Sequence, residues 1–452
     1  MKKLAFRQTV LVGLLLFGLF FGAGNLIFPV FMGQLAGKNV LPATLGFWVA
    51  GIGLPVLGVI SYALSQKHDL NGFASIAGPH FGLFFTVALY LTICPLFAIP
   101  RTATTAFETG LRTFFPDSVR LPLFLYSVVF FALAYFFAKY PTRIMDIIGR
   151  WMAPIFLVLL SILLIFVILR PMGAPADFPA QPPYDTRAFV QGILDGYNTM
   201  DALASLAFAI IIITNIRAMG VSDAKRMAVE VFKAGLVTLV LMATIYGALS
   251  YLGASSLGVM ELQSNGATIL GLTANHYFAL FGQLLLALIV FVACLKTAVG
   301  LIVAISGTFS RLFPKGPSYN QWMVLFTLLS FGIANFGLNT IISLSIPVLM
   351  FLYPLSIGLM LLWIIHAVHP LPQRVFSGTL FVIGIAALFD FIKAAPPFLS
   401  KQPFAIALLD KVKTYLPLFT EGMGWLLPGT LAFLGLLLWA KIGKKSADIS
   451  KN

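Results

Sequence analysis

The stretch FFGAGNLIFP, Phe20 to Pro29, places two glycines, an asparagine and a proline inside a run that has no charged residue from 8 to 37. The glycines and the proline weaken a helix, and peptide groups released inside a membrane need a ligand, cavity water or another polar partner. The amide of Asn25 adds an oxygen ligand beside them. Such a break can bind a substrate carboxylate at a half-helix amino end and a cation at freed carbonyls. Alternatively, the Gly-Ala-Gly segment only lets two helices pack closely.

A second interrupted span reads DGYNTMDALASLAFAI, Asp195 to Ile210, in which five polar side chains precede a run of small and apolar residues. It is the sixth span, so it stands five spans after the first. Two broken helices at equivalent places in two five-helix halves indicate an inverted-repeat transporter with its site between the halves. Asp201 lies deeper than Asp195 and Tyr197, which could equally be interfacial. An ionisable residue at that depth is a candidate functional group.

The third span, LYLTICPLFAIPRTATTAFETG, contains two prolines that predict kinks, and Arg101 follows the second of them directly. Arg101 either holds a substrate carboxylate or gates the outer vestibule. The alternative is an arginine that extends to the outer interface or pairs with Glu108. Tyr90 could reach a substrate carboxylate through its hydroxyl, although a packed tyrosine is more common.

The eighth span contains ACLKTAVGLIVAISGTF, with Lys296 about halfway along a long apolar run. An ammonium at that depth needs a carboxylate partner or a water-filled cavity. Asp201 is a candidate partner, and Thr297 adds a hydroxyl ligand beside the lysine. The alternative is that Lys296 faces the inner vestibule.

The elements that must position these residues are membrane helices. The chain has 452 residues, of which 60% are hydrophobic and only 10% are charged, as in an all-α polytopic membrane protein. Runs of about 20 apolar residues predict about twelve spans. They lie near residues 9–31, 41–64, 81–110, 121–138, 147–169, 190–214, 230–253, 278–310, 320–337, 339–367, 375–394 and 423–441.

An even number of spans puts both termini on one side of the membrane. The connections on that side carry about twice as many Lys and Arg residues as those on the other side. Because cytoplasmic connections are enriched in basic residues, both termini are predicted to be cytoplasmic, in a cell inner or plasma membrane.

The excess of 29 Lys and Arg over 15 Asp and Glu is spread through short connections, so nucleic acid is not an expected partner. We find no phosphate-binding loop, no Cys/His set with metal spacing and no nucleophile elbow. These observations argue against an enzyme or an ATP-driven pump and predict no catalytic residues. The expected partners are membrane lipid and a small-molecule substrate, and no obligatory protein partner is evident.

Several motifs together resemble one known family: FFGAGNLIFP, AIPRTA, YNTMDALASLAF, CLKTAVGL, IANFGL and IPVLMFLYPL. They are similar to those of the bacterial branched-chain amino acid:cation symporters, the branched-chain amino acid transport system II carriers. The resemblance implies the leucine-transporter fold, with ten core helices in two inverted five-helix repeats, discontinuous helices 1 and 6, and two peripheral helices. The corresponding units are residues 1–170, 190–367 and 375–452.

The resemblance also implies site residues. Residues 22–25 would lie at the break of the first helix, and Ser205, Leu206, Ala207 and Phe208 at that of the sixth, with Phe208 as an aromatic wall. The substrate-binding set is Gly22, Ala23, Gly24, Asn25, Tyr90, Ser205 and Phe208. The coupling-ion or proton set is Phe21, Asn25, Asp201, Lys296 and Thr297. Arg101 is the gating candidate.

One position departs from the family pattern. The eighth-helix motif usually has two adjacent hydroxyl residues, which resemble a sodium-ligand pair, whereas here the first of the two is Lys296. An ammonium there would occupy the place of a sodium ion and repel a second cation. Sodium and proton coupling therefore both remain open. Sodium is the one metal considered, and no organic cofactor is expected.

The sequence thus predicts a secondary active importer of leucine, isoleucine and valine that works by alternating access, driven by a sodium or proton gradient. One alternative is a carrier of the same fold for a different small amino acid or a nucleobase. Another is an uncoupled channel or uniporter for small solutes.

Overall fold

A computed structural model describes residues 3–115, 118–140 and 143–449. Every regular element in this described part is a helix. Lys2 and Lys451, two of the basic residues behind the predicted orientation, lie outside the described residues. So do the outermost ends of the first and last predicted units.

The first five predicted spans correspond to nine helices. They are α1 (Phe6–Phe20), α2 (Ala23–Ala36), α3 (Val40–Trp48), α4 (Leu54–Ser65), α5 (Leu70–Ala74), α6 (Pro79–Leu91), α7 (Ala98–Gly110), α8 (Arg120–Lys139) and α9 (Arg143–Leu169). The first span consists of α1 and α2. Short π-helical segments at Val49–Gly53 and Thr92–Leu96 join the halves of the second and third spans. The second of these contains Pro95, so the kink that the sequence predicts there is confirmed.

The next five spans correspond to six helices. They are α10 (Tyr184–Tyr197), α11 (Asp201–Ala218), α12 (Ala224–Ser255), α13 (Gly266–Leu312), α14 (Tyr319–Ala334) and α15 (Leu338–Val368). The sixth span consists of α10 and α11. Helix α13 changes direction at Ala279 (φ 52°, ψ −159°), and the part after this residue forms the eighth span. Four helices follow: α16 (Gln373–Ala394), α17 (Pro397–Ser400), α18 (Pro403–Tyr415) and α19 (Leu426–Ile449).

Each of the twelve predicted spans falls on one helix or on a pair of half-helices. By length and composition, 8 helical segments of the described residues can cross a membrane, and three further apolar helices are shorter. The predicted all-α polytopic fold is confirmed, whereas the unit boundaries stay predictions. The Lys38 N–H donates to the Phe178 carbonyl, and Arg187 donates to the Thr420 carbonyl. We call the side of the protein that holds residues 170–183 and 395–425 the loop face.

Glycines bring the broken first span against the seventh. A Cβ added to Gly33 of α2 would overlap the carbonyl oxygen of Ser250 in α12, and one added to Gly253 would overlap that of Val30. The two backbones therefore approach as closely as small-residue membrane interfaces allow.

The sixth span packs on the second in the same way. A Cβ on Gly46 of α3 would overlap the carbonyl oxygen of Phe189 in α10, and one on Gly192 would overlap that of Ala43. The first span crosses the seventh as the sixth crosses the second, which is the relationship expected between two five-helix repeats. These close crossings fix the half-helices around the two breaks.

Candidate functional site

The first break lies between α1 and α2. Phe21 and Gly22 have extended backbones (φ −73°, ψ 103° and φ −131°, ψ −167°). The Asn25 side chain accepts a hydrogen bond of 2.8 Å at Oδ1 from the Gly22 N–H. Asn25 thus satisfies a peptide group that the break releases, as the third residue of a helix does in a capping box.

The second break lies at residues 198–200, between α10 and α11. Met200 has a left-handed backbone (φ 62°). The Thr199 hydroxyl donates to the Gly196 carbonyl (2.9 Å) and accepts from the Asp201 N–H (3.3 Å). Asp201 therefore stands in the first turn of α11, where the positive end of the helix dipole stabilises a carboxylate.

The predicted position of the sixth-helix break, residues 205–208, is wrong. These residues continue α11, because their small and apolar side chains suit a helix. The chain breaks earlier, where Thr199 can replace lost backbone bonds. The Ser205 hydroxyl donates to the Ala202 carbonyl (2.7 Å), and Ser205 packs against Gly58 of the second span. Its predicted role in substrate binding stays a prediction.

Buried side chains join the two breaks. Asn25 donates from Nδ2 to Oδ2 of Asp201 (2.5 Å) and to the Tyr246 hydroxyl, and that hydroxyl donates to Asp201 Oδ2 (3.3 Å). All three residues are at most 3% exposed. Because Oδ1 of Asn25 accepts from Gly22, both polar atoms of the Asn25 side-chain amide have hydrogen-bond partners within the protein. Asn25 therefore links the first, sixth and seventh spans.

Arg101 lies just above this network, towards the loop face. It is 3% exposed, donates from Nη1 to the Asn198 carbonyl (2.8 Å), and places its guanidinium 4.9 Å from the centre of the Phe28 ring. It also interacts electrostatically with Asp201. A Cβ on Gly24 would lie 3.0 Å from Arg101 Nη2, so the glycine makes room for the arginine.

The alternative readings of Arg101 are wrong, since it neither reaches the interface nor pairs with Glu108. The Glu108 carboxylate instead accepts from the Thr268 hydroxyl at 3.4 Å. An arginine this deeply buried needs partners within the protein, and Asn198 and Phe28 supply them.

A cavity of about 310 Å³ opens on the loop-face side of Arg101. Phe28 and Asn198 line its wall and also contact Arg101. Its lining contains apolar side chains together with amides, a hydroxyl and a carboxylate. The apolar residues include Ile27, Phe28, Phe31, Ile342 and Ile346, and the polar residues include Asp195, Asn198, Asn265, Asn339 and Ser343. Arg101 therefore contacts both the cavity lining, at Phe28 and Asn198, and the first turn of α2, at Gly24.

Tyr90 and Phe208 lie on the other side of the breaks. Tyr90 is 6% exposed and donates its hydroxyl to the Ala207 carbonyl (3.3 Å), which brings the third span against α11. Phe208, the next residue along α11, is partly buried and packs against the apolar core. The roles of both residues in substrate binding stay predictions.

The predicted pairing of Lys296 with Asp201 is wrong. Lys296 is exposed, and within the described ranges it takes part in no ion pair. The position of a residue along a helix does not determine which side of that helix it faces. Lys296 faces the exposed side of α13, as Leu288 and Val303 do. The Thr297 hydroxyl donates to the Ala293 carbonyl (3.0 Å), and the coupling roles of Lys296 and Thr297 stay predictions.

Three contributors to this site were not predicted from the sequence: Tyr246, Phe28 and Asn198. Tyr246 is a polar residue in the middle of the apolar seventh span, and that signal could have identified it. Nothing in the sequence marks Phe28 among the many phenylalanines. Asn198 acts through its backbone carbonyl. Every residue carries this group, so the residue type at position 198 does not identify the role.

Two solved structures share this architecture. The inward-facing conformation of Mhp1 aligns with a TM-score of 0.62 at 12% identity, covering 96% of this chain and 91% of that one. MhsT in complex with L-phenylalanine aligns with a TM-score of 0.55 at 15% identity, covering 97% and 99%. At such identities the likeness shows the fold alone, and it confirms the predicted leucine-transporter fold.

Other proteins have a much higher sequence identity to this chain. The branched-chain amino acid permease BrnQ of Lactobacillus delbrueckii subsp. lactis is 42% identical over 448 residues, covering 99% of this chain and 100% of the relative. The permease BrnQ of Bacillus subtilis is 41% identical, covering 94% and 95%. A family model described as branched-chain amino acid transport protein matches residues 5–442. The chain therefore belongs to the family of branched-chain amino acid transport proteins.

Proposed function

We propose that this protein imports leucine, isoleucine and valine by alternating access around the two helix breaks. The observation that carries this proposal is the contact between Asn25 and Asp201, which holds the break of the first span against the break of the sixth. Relatives named branched-chain amino acid permeases support the substrate class.

The substrate would bind as a zwitterion between the breaks. The first N–H groups of α2, at Ala23 and Gly24, would hold its carboxylate, because they have no partner within the helix. The ammonium would lie near Asp201, whose carboxylate carries the negative charge at the second break and accepts from Asn25 and Tyr246 at Oδ2. The breaks thus offer opposite partial charges to the two ends of one small molecule.

Tyr90 and Phe208 would form the aromatic wall that receives the aliphatic side chain. Each buried methylene contributes about 0.8 kcal/mol, so an apolar wall favours leucine over alanine. A single methylene discriminates by only about 1–3 kcal/mol, and valine, leucine and isoleucine would therefore share the site.

The loop face would be the outer side of the membrane, with both termini in the cytoplasm. The substrate would enter through the 310 Å³ cavity and pass Arg101 when its contacts with Asn198 and Phe28 open. In the described conformation Arg101 closes this route. The mixed apolar and polar lining of the cavity suits a zwitterion with an aliphatic side chain.

The driving force would be a sodium or a proton gradient. Phe21 at the first break and Thr297 in the eighth span would contribute oxygen ligands to a cation, and Asp201 would carry or balance the charge. Lys296 stands at the chain position where resembling carriers have a hydroxyl, so one expected oxygen ligand for sodium is missing, which favours a proton.

Uptake of labelled leucine into proteoliposomes tests this proposal. A sodium gradient and a proton gradient are imposed separately, and unlabelled isoleucine, valine, phenylalanine and uracil are offered as competitors. We expect accumulation against a leucine gradient under one of the two ion gradients, with competition by isoleucine and valine. Uptake that stops at equilibrium under both gradients would indicate a uniporter or channel and contradict the proposal, as would stronger competition by phenylalanine or uracil.

A further inference from the structure

A loop-face segment connects the peripheral helices to the half-helix α10. Residues 416–425, between α18 and α19, form this segment, which we call the strap. Its aromatic side chains Phe419 and Trp425 are 3% and 7% exposed. The strap is therefore packed onto the protein as a fixed element.

Two cations from different parts of the fold bind the same carbonyl of the strap. Lys393 of α16 donates from Nζ to the carbonyls of Phe419 (2.7 Å) and Thr420 (2.8 Å). Arg187 of α10 donates from Nη1 to the Thr420 carbonyl (2.7 Å). Hydrogen bonds from charged donors are the stronger class, so this carbonyl fastens a peripheral helix to the second repeat.

A carboxylate, that of Glu421, lies beside the two cations of this junction. The Thr420 hydroxyl donates to Glu421 (2.7 Å), and this bond lowers the pKa of the Glu421 carboxyl below its ordinary value. Glu421 therefore stays ionised at neutral pH beside the two cations. Lys393 also lies 5.0 Å from the centre of the Phe419 ring.

The strap also contacts α10 at a second place along the helix, beside Leu194. Gly422 has a left-handed backbone (φ 73°), and a Cβ there would lie 3.1 Å from Leu194 Cδ1. Near its start, α10 departs from helical geometry at Arg187 (φ −141°, ψ 42°). At its end lies Asn198, whose carbonyl accepts the hydrogen bond from Arg101. The strap thus holds the half-helix that supplies the partner of the gating arginine.

We propose that Arg187 and Lys393 are positioning residues for the gate: by fastening the strap to α10, they favour the conformation in which Arg101 closes the cavity from the breaks. Neither residue lines the cavity or contacts the breaks. The inference rests on the proposed function only in treating Arg101 as a gate, and its test uses no transport assay.

The test compares two cysteine reporters in intact cells treated with a membrane-impermeant maleimide. Ala23→Cys lies at the start of α2, beyond Arg101, and Ser343→Cys lies in the cavity. The native Cys94 and Cys294 are buried. Labelling of Ser343→Cys verifies that the loop face is outside and that each variant is folded.

We expect the double substitution Arg187→Gln with Lys393→Gln to raise the labelling rate of Ala23→Cys by about 2- to 30-fold, the range found for residues that couple distant sites. Each single substitution should give a smaller rise, and Arg187→Lys, which keeps a donor, should stay near the parent rate. Lys401→Gln, which removes an exposed charge from the same face, should change nothing. The Ser343→Cys rate should be constant throughout.

An unchanged or lower Ala23→Cys rate in the double and single variants would overturn the proposal. Equal rises at both reporters would also overturn it, because they would indicate general loosening of the loop face. If leucine transport fails while the labelling pattern holds, the proposed function is refuted and the role of the strap is not.

Discussion

The Asn25 amide donates to the Asp201 carboxylate across a gap of 176 residues in the chain, and so joins the breaks of the first and sixth spans. The Tyr246 hydroxyl bonds to both side chains. Every polar atom of the Asn25 amide has a protein partner. The two breaks are therefore joined by one buried polar network. A substitution at any of its three residues should change the hydrogen bonds of the other two.

Asn25→Ala should destabilise the protein and abolish most leucine uptake. It leaves the Gly22 N–H and part of the Asp201 carboxylate without partners, which costs about 1–3 kcal/mol for each buried group. Thermal unfolding of the purified protein and initial uptake rates measure the two effects. Tyr246→Phe removes fewer bonds and should cost less. Tyr251→Phe in the same helix, whose hydroxyl makes no hydrogen bond to a described residue, is the control and should behave as wild type. Equal stability of all three variants would contradict this account.

Arg101→Ala should open the route between the loop-face cavity and the breaks. The substitution removes a charge-assisted bond to Asn198 and the contact with Phe28. Loss of a hydrogen bond from a charged group costs about 1.5–3 kcal/mol, so labelling of Ala23→Cys from the loop face should rise by about 10- to 150-fold. Arg112→Ala, near the end of the same span, should leave the rate unchanged. A rate that does not respond to Arg101→Ala would mean that another group closes the route.

Lys296→Thr should make leucine uptake depend more strongly on a sodium gradient at constant pH. The substitution restores the adjacent hydroxyl pair of resembling carriers and with it a second oxygen ligand for a cation. Lys296→Arg keeps the charge and should retain the ion dependence of the native protein. Uptake is measured in proteoliposomes with each gradient imposed alone. A native protein that already requires sodium, together with no effect of Lys296→Thr, would refute this role.

Gly253→Ala should destabilise the fold, because its Cβ would overlap the Val30 carbonyl where α12 crosses α2. Overpacking of this kind typically costs about 1–3 kcal/mol. Gly332→Ala in α14 is the matched control, since an added Cβ there meets nothing within 4 Å. Alanine favours a helix over glycine by up to about 1 kcal/mol, so this variant should unfold at the same or a higher temperature. Indistinguishable unfolding temperatures would contradict the close crossing.

The sequence predicts much of this fold, because breaks and spans depend on local composition. Glycines and a proline inside an apolar run identify the first break, and hydropathy identifies the twelve spans. The family resemblance places the second break at residues 205–208, whereas the chain breaks at residues 198–200, where the Thr199 side chain replaces lost backbone bonds. The orientation of Lys296 and the role of the Asn198 carbonyl depend on how helices rotate and pack. Periodicity in a nearly uniform apolar helix does not contain that information.

The most direct test of the central claim is an experimental structure of the purified protein with leucine bound. We predict that leucine lies between residues 21–24, which form the first break and the start of α2, and the start of α11, with its side chain towards Phe208. The Asn25–Asp201 hydrogen bond should be retained beside it. Leucine located elsewhere, with no ligand between the two breaks, would contradict the account.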